Sequence, residues 1–154
     1  MLSPLELRQA YLESLEIRLS PNWDLKPFVE DVRAYDTRVE ASARKRPSHW
    51  DFRVSLDIRL TPREGENCRF DVVSAKVVGL FHLPDETEES LVRTLVPLNC
   101  AVILYGIARG IIGQSTGMTP GGSIMVPPVN LVKTLKRRRK RTPAADAAES
   151  GARK

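Results

Sequence analysis

Histidine and cysteine are scarce in this chain of 154 residues, which has two of each: His49, His82, Cys68 and Cys100. None falls at a metal-ligand spacing such as CxxC or HxxxH, so local sequence offers no metal site. Two cysteines do not make a disulfide framework, and both read as small buried hydrophobes. There is no GxGxxG, no P-loop and no GxSxG. Gly121-Gly122-Ser123 lacks the lysine and flanking strand that a phosphate loop needs. His82, beside Phe81 at a strand end, reads as structural or solvated. No catalytic residue, metal or cofactor is therefore expected, and the chain reads as a non-enzyme. A charged-then-apolar leader is also missing; MLSPLELRQ alternates instead, which argues for a cytoplasmic protein.

Charge is present but unevenly placed. Nine of the 24 Lys/Arg and only two of the 19 Asp/Glu lie in 133–154. The first 132 residues thus hold 15 basic and 17 acidic groups, a net of −2. The tail alone makes the chain basic, so any argument for nucleic-acid binding rests on it. Its run Arg137, Arg138, Arg139, Lys140 and Arg141, preceded by Lys136, cannot be packed and must be solvated or partnered. It could contact phosphate or anionic lipid. No aromatic residue lies near it, which disfavours base stacking. After Thr142 the composition has too little apolar surface to offset ordering entropy, and disorder is expected.

Length and a hydrophobic fraction of 42% suit one domain. Residues 5–19 alternate, with Leu5, Leu7, Tyr11, Leu15, Ile17 and Leu19 expected on one strand face. Ser20-Pro21-Asn22 ends that strand. A short extended segment is expected near Arg38–Ala43. Trp50–Leu60 alternates most cleanly: Phe52, Val54, Leu56, Ile58 and Leu60 share a face with Trp50. After a polar turn, Cys68–His82 is apolar on both faces, as a central strand or one covered by a partner would be. Strands precede helices without βαβ alternation. The expected class is α+β, an antiparallel sheet with helices packed on one face.

Acids from Asp85 to Glu89 mark a helix start, because they suit the positive end of the helix dipole. The helical region runs to about Gly113, and Pro97-Leu98-Asn99 is expected to divide it. Leu91–Ile112 has the length of a membrane span, but Arg93, Thr94, Pro97, Asn99 and Arg109 interrupt it. Each arginine near mid-bilayer would cost roughly 2.5–3.5 kcal/mol, which argues against membrane insertion. The apolar run Ala101–Ala108 instead fits a soluble helix hidden on nearly every side. One small sheet covers only one side of such a helix, and another subunit is the simplest cover for the rest. Gly106, Gly110 and Gly113 lie near one stripe and would allow close approach of another helix or of the sheet. A bulky residue at Gly106 or Gly110 is expected to be costly either way. Residues 114–128 read as a loop, and Asn130 as the cap of a last helix, Leu131–Arg139.

The stretch Cys100–Leu135 resembles the C-terminal signature of SecB, the bacterial export chaperone. That family has a helix of the type C-P-N-hydrophobic-L-F-P-Y-A-R-E, then a Gly/Pro loop, then L-A/P-P-V-N-F. The matching residues here are Cys100, Ile103, Leu104, Tyr105, Ala108 and Arg109, then Pro128, Val129, Asn130 and Leu131. The resemblance covers about residues 8–135, with Gly79-Leu80-Phe81 matching the end of the third strand. It implies a SecB-like domain over 1–135 and a basic tail over 136–154. It also implies a four-stranded antiparallel sheet with helices on one side, assembled as a dimer of dimers, a homotetramer. Such proteins bind unfolded or nascent polypeptides without ATP, in apolar grooves beside the main helix. Leu131 matches the groove phenylalanine of PVNF. The helix positions divide between core, groove and interface: Tyr105, Leu104 and Ile107 are assigned with Leu131 to the client groove, and Ile103, Gly106, Gly110 and Ile111 to the oligomer interface.

The departures from the family bear on partners. Export-type members are strongly acidic, and acids on their exposed sheet face dock SecA, the export motor. The matching positions here are Ser14, Arg18 and about Ser74, and the tail is basic. Complementary charge steers docking, so these changes argue against SecA as partner. The reading is a divergent SecB-like holdase, serving protein export or a dedicated client such as an antitoxin. The alternative is a nucleic-acid or ribosome-associated protein acting through the tail.

Overall fold

The computed structural model describes residues 5–21, 23–25, 31–46 and 51–133. Four strands, β1 (Glu6–Leu19), β2 (Tyr35–Lys45), β3 (Asp51–Pro62) and β4 (Phe70–His82), form one antiparallel sheet in the order β1-β4-β3-β2. A single long helix, α1 (Glu89–Gly117), packs on one face. His49, Trp50 and the basic run 136–141 lie outside the described residues.

The alternation of β3 sets the core. Phe52, Val54, Leu56, Ile58 and Leu60 are all buried and face α1. β4 is central, as its two apolar faces imply. Val73, Ala75, Val77 and Phe81 join the helix-side core, while Val72 and Val78 are buried on the other side. The segment expected only as a short piece near Arg38–Ala43 is a full strand that pairs with β3 along its length, from Tyr35↔Pro62 to Lys45↔Phe52. Its sequence hid this because an edge strand with a charged outer side needs few apolar residues.

β1 departs from the simple alternation. Register shifts fall between Leu7 and Gln9 and between Leu12 and Ser14. Each inserts one residue and reverses the phase of the pleat. Tyr11 therefore pairs with Val78 on the open face, and Leu12 takes the helix side opposite Val77. The second shift restores the phase, so Leu15 and Ile17 lie on the helix side. Of the expected common face, Leu5, Leu7, Ile17 and Leu19 pack against the core and Leu15 pairs with Ala75 on the same side, while Tyr11 leaves it.

α1 runs unbroken through Pro97, contrary to the expected division. Proline leaves one carbonyl, that of Arg93, without its helical donor. Arg93 is an exposed residue, so water can take that role. Around this point Val92, Val96 and Cys100 bury the inner stripe of α1 against the core, and tertiary packing outweighs local propensity. The helix-side core continues through Leu104, Ala108 and Ile112, all fully buried. Burial pushes the Cys100 thiol up to about 12, and it raises the Cys68 thiol as well. Both are free, neutral and packed, as their apolar neighbours require.

At Gly79 the strand leaves no room for a side chain under the helix. A Cβ there would lie 2.5 Å from Phe81 Cε2 and 2.9 Å from Leu104 Cδ2. At Gly106 and Gly110 a Cβ would meet nothing within 4 Å. The sequence expectation that bulk at these two positions is costly inside one chain is therefore overturned; they face outward, and only a partner could make bulk there costly. Replacing Gly79→Ala should destabilise the protein by about 1–3 kcal/mol through overpacking. Replacing Gly106→Ala should leave the protomer's stability unchanged or raise it by up to about 1 kcal/mol, because alanine favours helix. Urea unfolding of the two variants checks this contrast.

Candidate functional site

After α1 the chain turns and runs back along one flank of the helix. Gly121 and Gly122 make the turn with φ of 92° and 85°, a region that side chains other than glycine rarely adopt. Arg69, only 3% exposed, holds the turn by donating to the carbonyls of Pro120 and Gly122. Its guanidinium also lies 4.4 Å from the Phe70 ring centroid. Thr116 then ties the returning chain to the helix. Its hydroxyl accepts from the Ile124 amide at 2.9 Å and donates to the Ile112 carbonyl at 2.7 Å. Further along, the Tyr105 hydroxyl donates to the Pro127 carbonyl. Burial raises the Tyr105 pKa and the nearby Arg109 charge opposes that rise, so the phenol stays protonated as a donor. Ile124, Val126 and Leu131 anchor the segment in the core. Asn130 accepts from the Lys133 amide at 3.1 Å, as an N-cap does.

The returning segment does not close against the helix. A cleft of about 580 Å³ remains between Leu98, Asn99 and Val102 of α1 and residues 128–132. A second, of about 390 Å³, lies further along the same flank, between Gly106, Arg109, Gly110 and Gln114 on one side and Ser123 and Met125 on the other. Val102 and Met125 are largely exposed at 52% and 63%, unusual for apolar side chains held in ordered walls. Arg109 is the charged member of the lining; its Nε is buried without a hydrogen-bond partner, and its guanidinium sits 5.9 Å from the Tyr105 ring centroid.

The residues expected at a groove separate here. Leu131 lines the first cleft. Leu104 is fully buried and serves the core; Tyr105 is buried and braces the returning segment; Ile107 is partly buried against the core. Of the residues expected at an interface, Ile103 is exposed on the outer side of α1, Gly106 and Gly110 are exposed but line the second cleft, and Ile111 packs partly against the core. Arg137–Arg141 fall outside the described residues. Sequence reasoning missed Leu98, Val102 and Met125. Apolar residues surround this helix, so no periodicity separates its lining positions from its core positions.

On the open sheet face Glu13 meets Lys76 at 2.6 Å and Arg53 at 2.9 Å, and Glu16 meets Arg59 at 3.8 Å. His82 Nδ1 and Asp51 Oδ1 are 2.7 Å apart, which pins the ends of β3 and β4 and holds the Asp51 carboxyl below its usual range. Among the described residues no three His, Cys, Asp or Glu side chains group as metal ligands. Val96–Gly117 has the length and hydropathy of a membrane span, yet its inner stripe is packed under the sheet.

The sheet order, the single helix face and the returning segment match a known architecture. The structure aligns with Rv1957, a SecB-like chaperone of Mycobacterium tuberculosis solved with a ChAD peptide from the Rv1956 HigA1 antitoxin. The TM-score is 0.56 and the identity 16%, over 82% of this chain and 91% of that one. The fold is SecB-like. A Streptococcus agalactiae protein of unknown function aligns at a TM-score of 0.44 and 13% identity, over 80% of this chain and 97% of that one. No protein-family profile and no curated sequence matches the chain.

In this SecB-like fold the Tyr105–Pro127 hydrogen bond is the mid-point brace of the cleft wall. Tyr105→Phe should cost about 1 kcal/mol, because it orphans a carbonyl while keeping the ring. Amide exchange over 123–131 should quicken more than exchange in β3. Equal quickening in both would show that the bond serves global stability only.

Proposed function

We propose that this protein is an ATP-independent holdase that keeps unfolded or nascent polypeptide segments from aggregating, in the manner of SecB. The observation that carries this reading is the pair of open, mostly apolar clefts between α1 and the returning segment. An unfolded chain exposes apolar side chains, and each Å² removed from water there contributes roughly 25 cal/mol. Several shallow sites add through effective concentration, so no nucleotide is needed. The similar M. tuberculosis protein holds an antitoxin peptide. That supports a dedicated client, such as an antitoxin, as readily as export clients in general. The protein would act in the cytoplasm.

Assembly into a dimer of dimers belongs to the same reading. The outer side of α1 exposes Ile103, which lines neither cleft. On the helix side of β1, a sheet-edge strand, Leu12 and Leu15 are 41% and 40% exposed. A second copy would cover both. SecA is not part of this reading. On the open face Glu13 and Glu16 already have basic partners, Glu40 and Asp57 lie beside Arg38 and Arg59, and Arg18 stands where export-type members carry an acid.

The test is aggregation of a chemically denatured substrate protein, followed by light scattering without nucleotide. Stoichiometric protein should suppress it. Val102→Asp places a charge in the cleft wall at an exposed site, so it should leave folding intact and weaken client affinity about tenfold. The mass in solution should be near four times 17.3 kDa. No suppression by the wild-type protein would sink the chaperone reading; a monomer mass would sink the assembly.

A further inference from the structure

Positive charge gathers at one end of the sheet. A cavity of about 250 Å³ lies there, far from the clefts of α1 in the fold. Arg8 and Gln9 line it from β1, Arg46 from just past β2 and Asp51 from β3, with apolar walls from Phe52 and Phe81. One pair further along the open face, Arg44 stands directly opposite Arg53. Like charges placed so are destabilising. Nearby acids answer only part of this charge. Glu6 reaches Arg8 at 3.9 Å, Glu13 is shared between Arg53 and Lys76, and Asp51 is held by His82. Among the described residues the Arg44 and Arg46 guanidiniums make no ion pair or hydrogen bond. Four guanidiniums and the Lys76 ammonium thus stand against three carboxylates. His82 foremost, then Arg8 and Arg46, hold the Asp51 carboxyl below its usual range, so the field of both arginines reaches into the cavity.

We infer that this cavity binds a phosphate dianion, either free or as a small monoester. The inference stands apart from the holdase reading and does not depend on it. Guanidinium forks match phosphate oxygens two at a time, and two forks line this cavity. Gln9 adds a neutral donor. The apolar walls exclude water on one side, which strengthens each charge-assisted bond. Asp51 repels any anion that enters, so a singly charged carboxylate gains little, whereas a dianion that takes both forks gains more. Drug-sized ligands fill cavities of about 300–1,000 Å³, so this one suits a smaller molecule. Arg8, Gln9 and Arg46 are exposed, and the ligand can enter without unfolding the sheet.

Isothermal titration calorimetry on the full chain tests this, with inorganic phosphate, glycerol phosphate and acetate as probes. Both phosphates should bind saturably, and about tenfold more tightly than acetate. Arg8→Gln and Arg46→Gln should each weaken phosphate binding about tenfold. Arg46→Lys should weaken it only about threefold, because it keeps the charge and loses the fork. Both arginines are exposed, so the urea midpoint of these variants should stay at the wild-type value. Asp51→Asn removes the repelling carboxylate, leaves His82 a partner, and should tighten phosphate binding about threefold. A merely structural cluster would show no such gain. Tighter binding of glycerol phosphate than of the free ion identifies a monoester as the ligand, and the reverse identifies the free ion. Acetate binding as tight as phosphate overturns the inference. So does phosphate binding that survives both Arg8→Gln and Arg46→Gln, because the anion then sits elsewhere on a basic chain. No saturable binding at millimolar phosphate overturns it too. None of these results touches the holdase reading, which the aggregation assay decides alone.

Discussion

One mismatch governs this molecule: a 29-residue helix apolar on nearly every side rests on a sheet that can bury only its inner stripe. At Gly79 the strand leaves no room for a side chain between Phe81 and Leu104. Leu104, Ala108 and Ile112 are fully buried along the inner stripe. Every apolar residue on the other sides is left to be covered by something else. Burial of each such side chain is worth roughly 1.5–3 kcal/mol, so the pressure to cover them is large.

The returning segment answers part of that pressure. It is held at its turn by Arg69 and Gly121, at its middle by Thr116 and Tyr105, and at its end by Leu131. These hydrogen bonds alternate along the helix with buried anchors, Ile124, Val126 and Leu131. Between them the segment stands off from α1, and the clefts are the gaps. A wall fixed at points and open between them can admit an extended chain without unfolding. Apolar walls of this kind would gain from any unfolded segment that removes them from water.

The two sides of the sheet divide the labour. The open face is rich in charge: Glu13 bridges Arg53 and Lys76, while Glu40 and Asp57 face each other across β2 and β3. The helix side carries the uncovered apolar surface, from Leu12 and Leu15 on β1 to Val102 and Ile103 on α1. The proposed association and client capture would both draw on this side, where one protomer leaves a surplus of apolar area.

Much was legible in the residues. The alternation of β3 declared its buried face, the two-sided apolarity of β4 declared its central place, and strands before helices declared an α+β layer fold. The Cys100–Leu135 stretch carried the resemblance to SecB, and the fold agrees with it. Leu131 was legible as a cleft residue because the turn before it is specific, whereas Leu104 and Tyr105 could not be told from lining positions. The bulges of β1, which send Tyr11 to the open face, leave no trace in hydrophobicity, because Tyr11 and Leu12 are both apolar neighbours. Pro97 signalled a break that packing on both sides of it overrides. By itself the sequence determined the elements and the sign of the charge in each region, since these depend on local pattern and composition. Only the tertiary structure decided which apolar side chains are core and which are left open. That choice depends on the width of the sheet and on where the returning chain touches the helix, distances that no residue encodes alone.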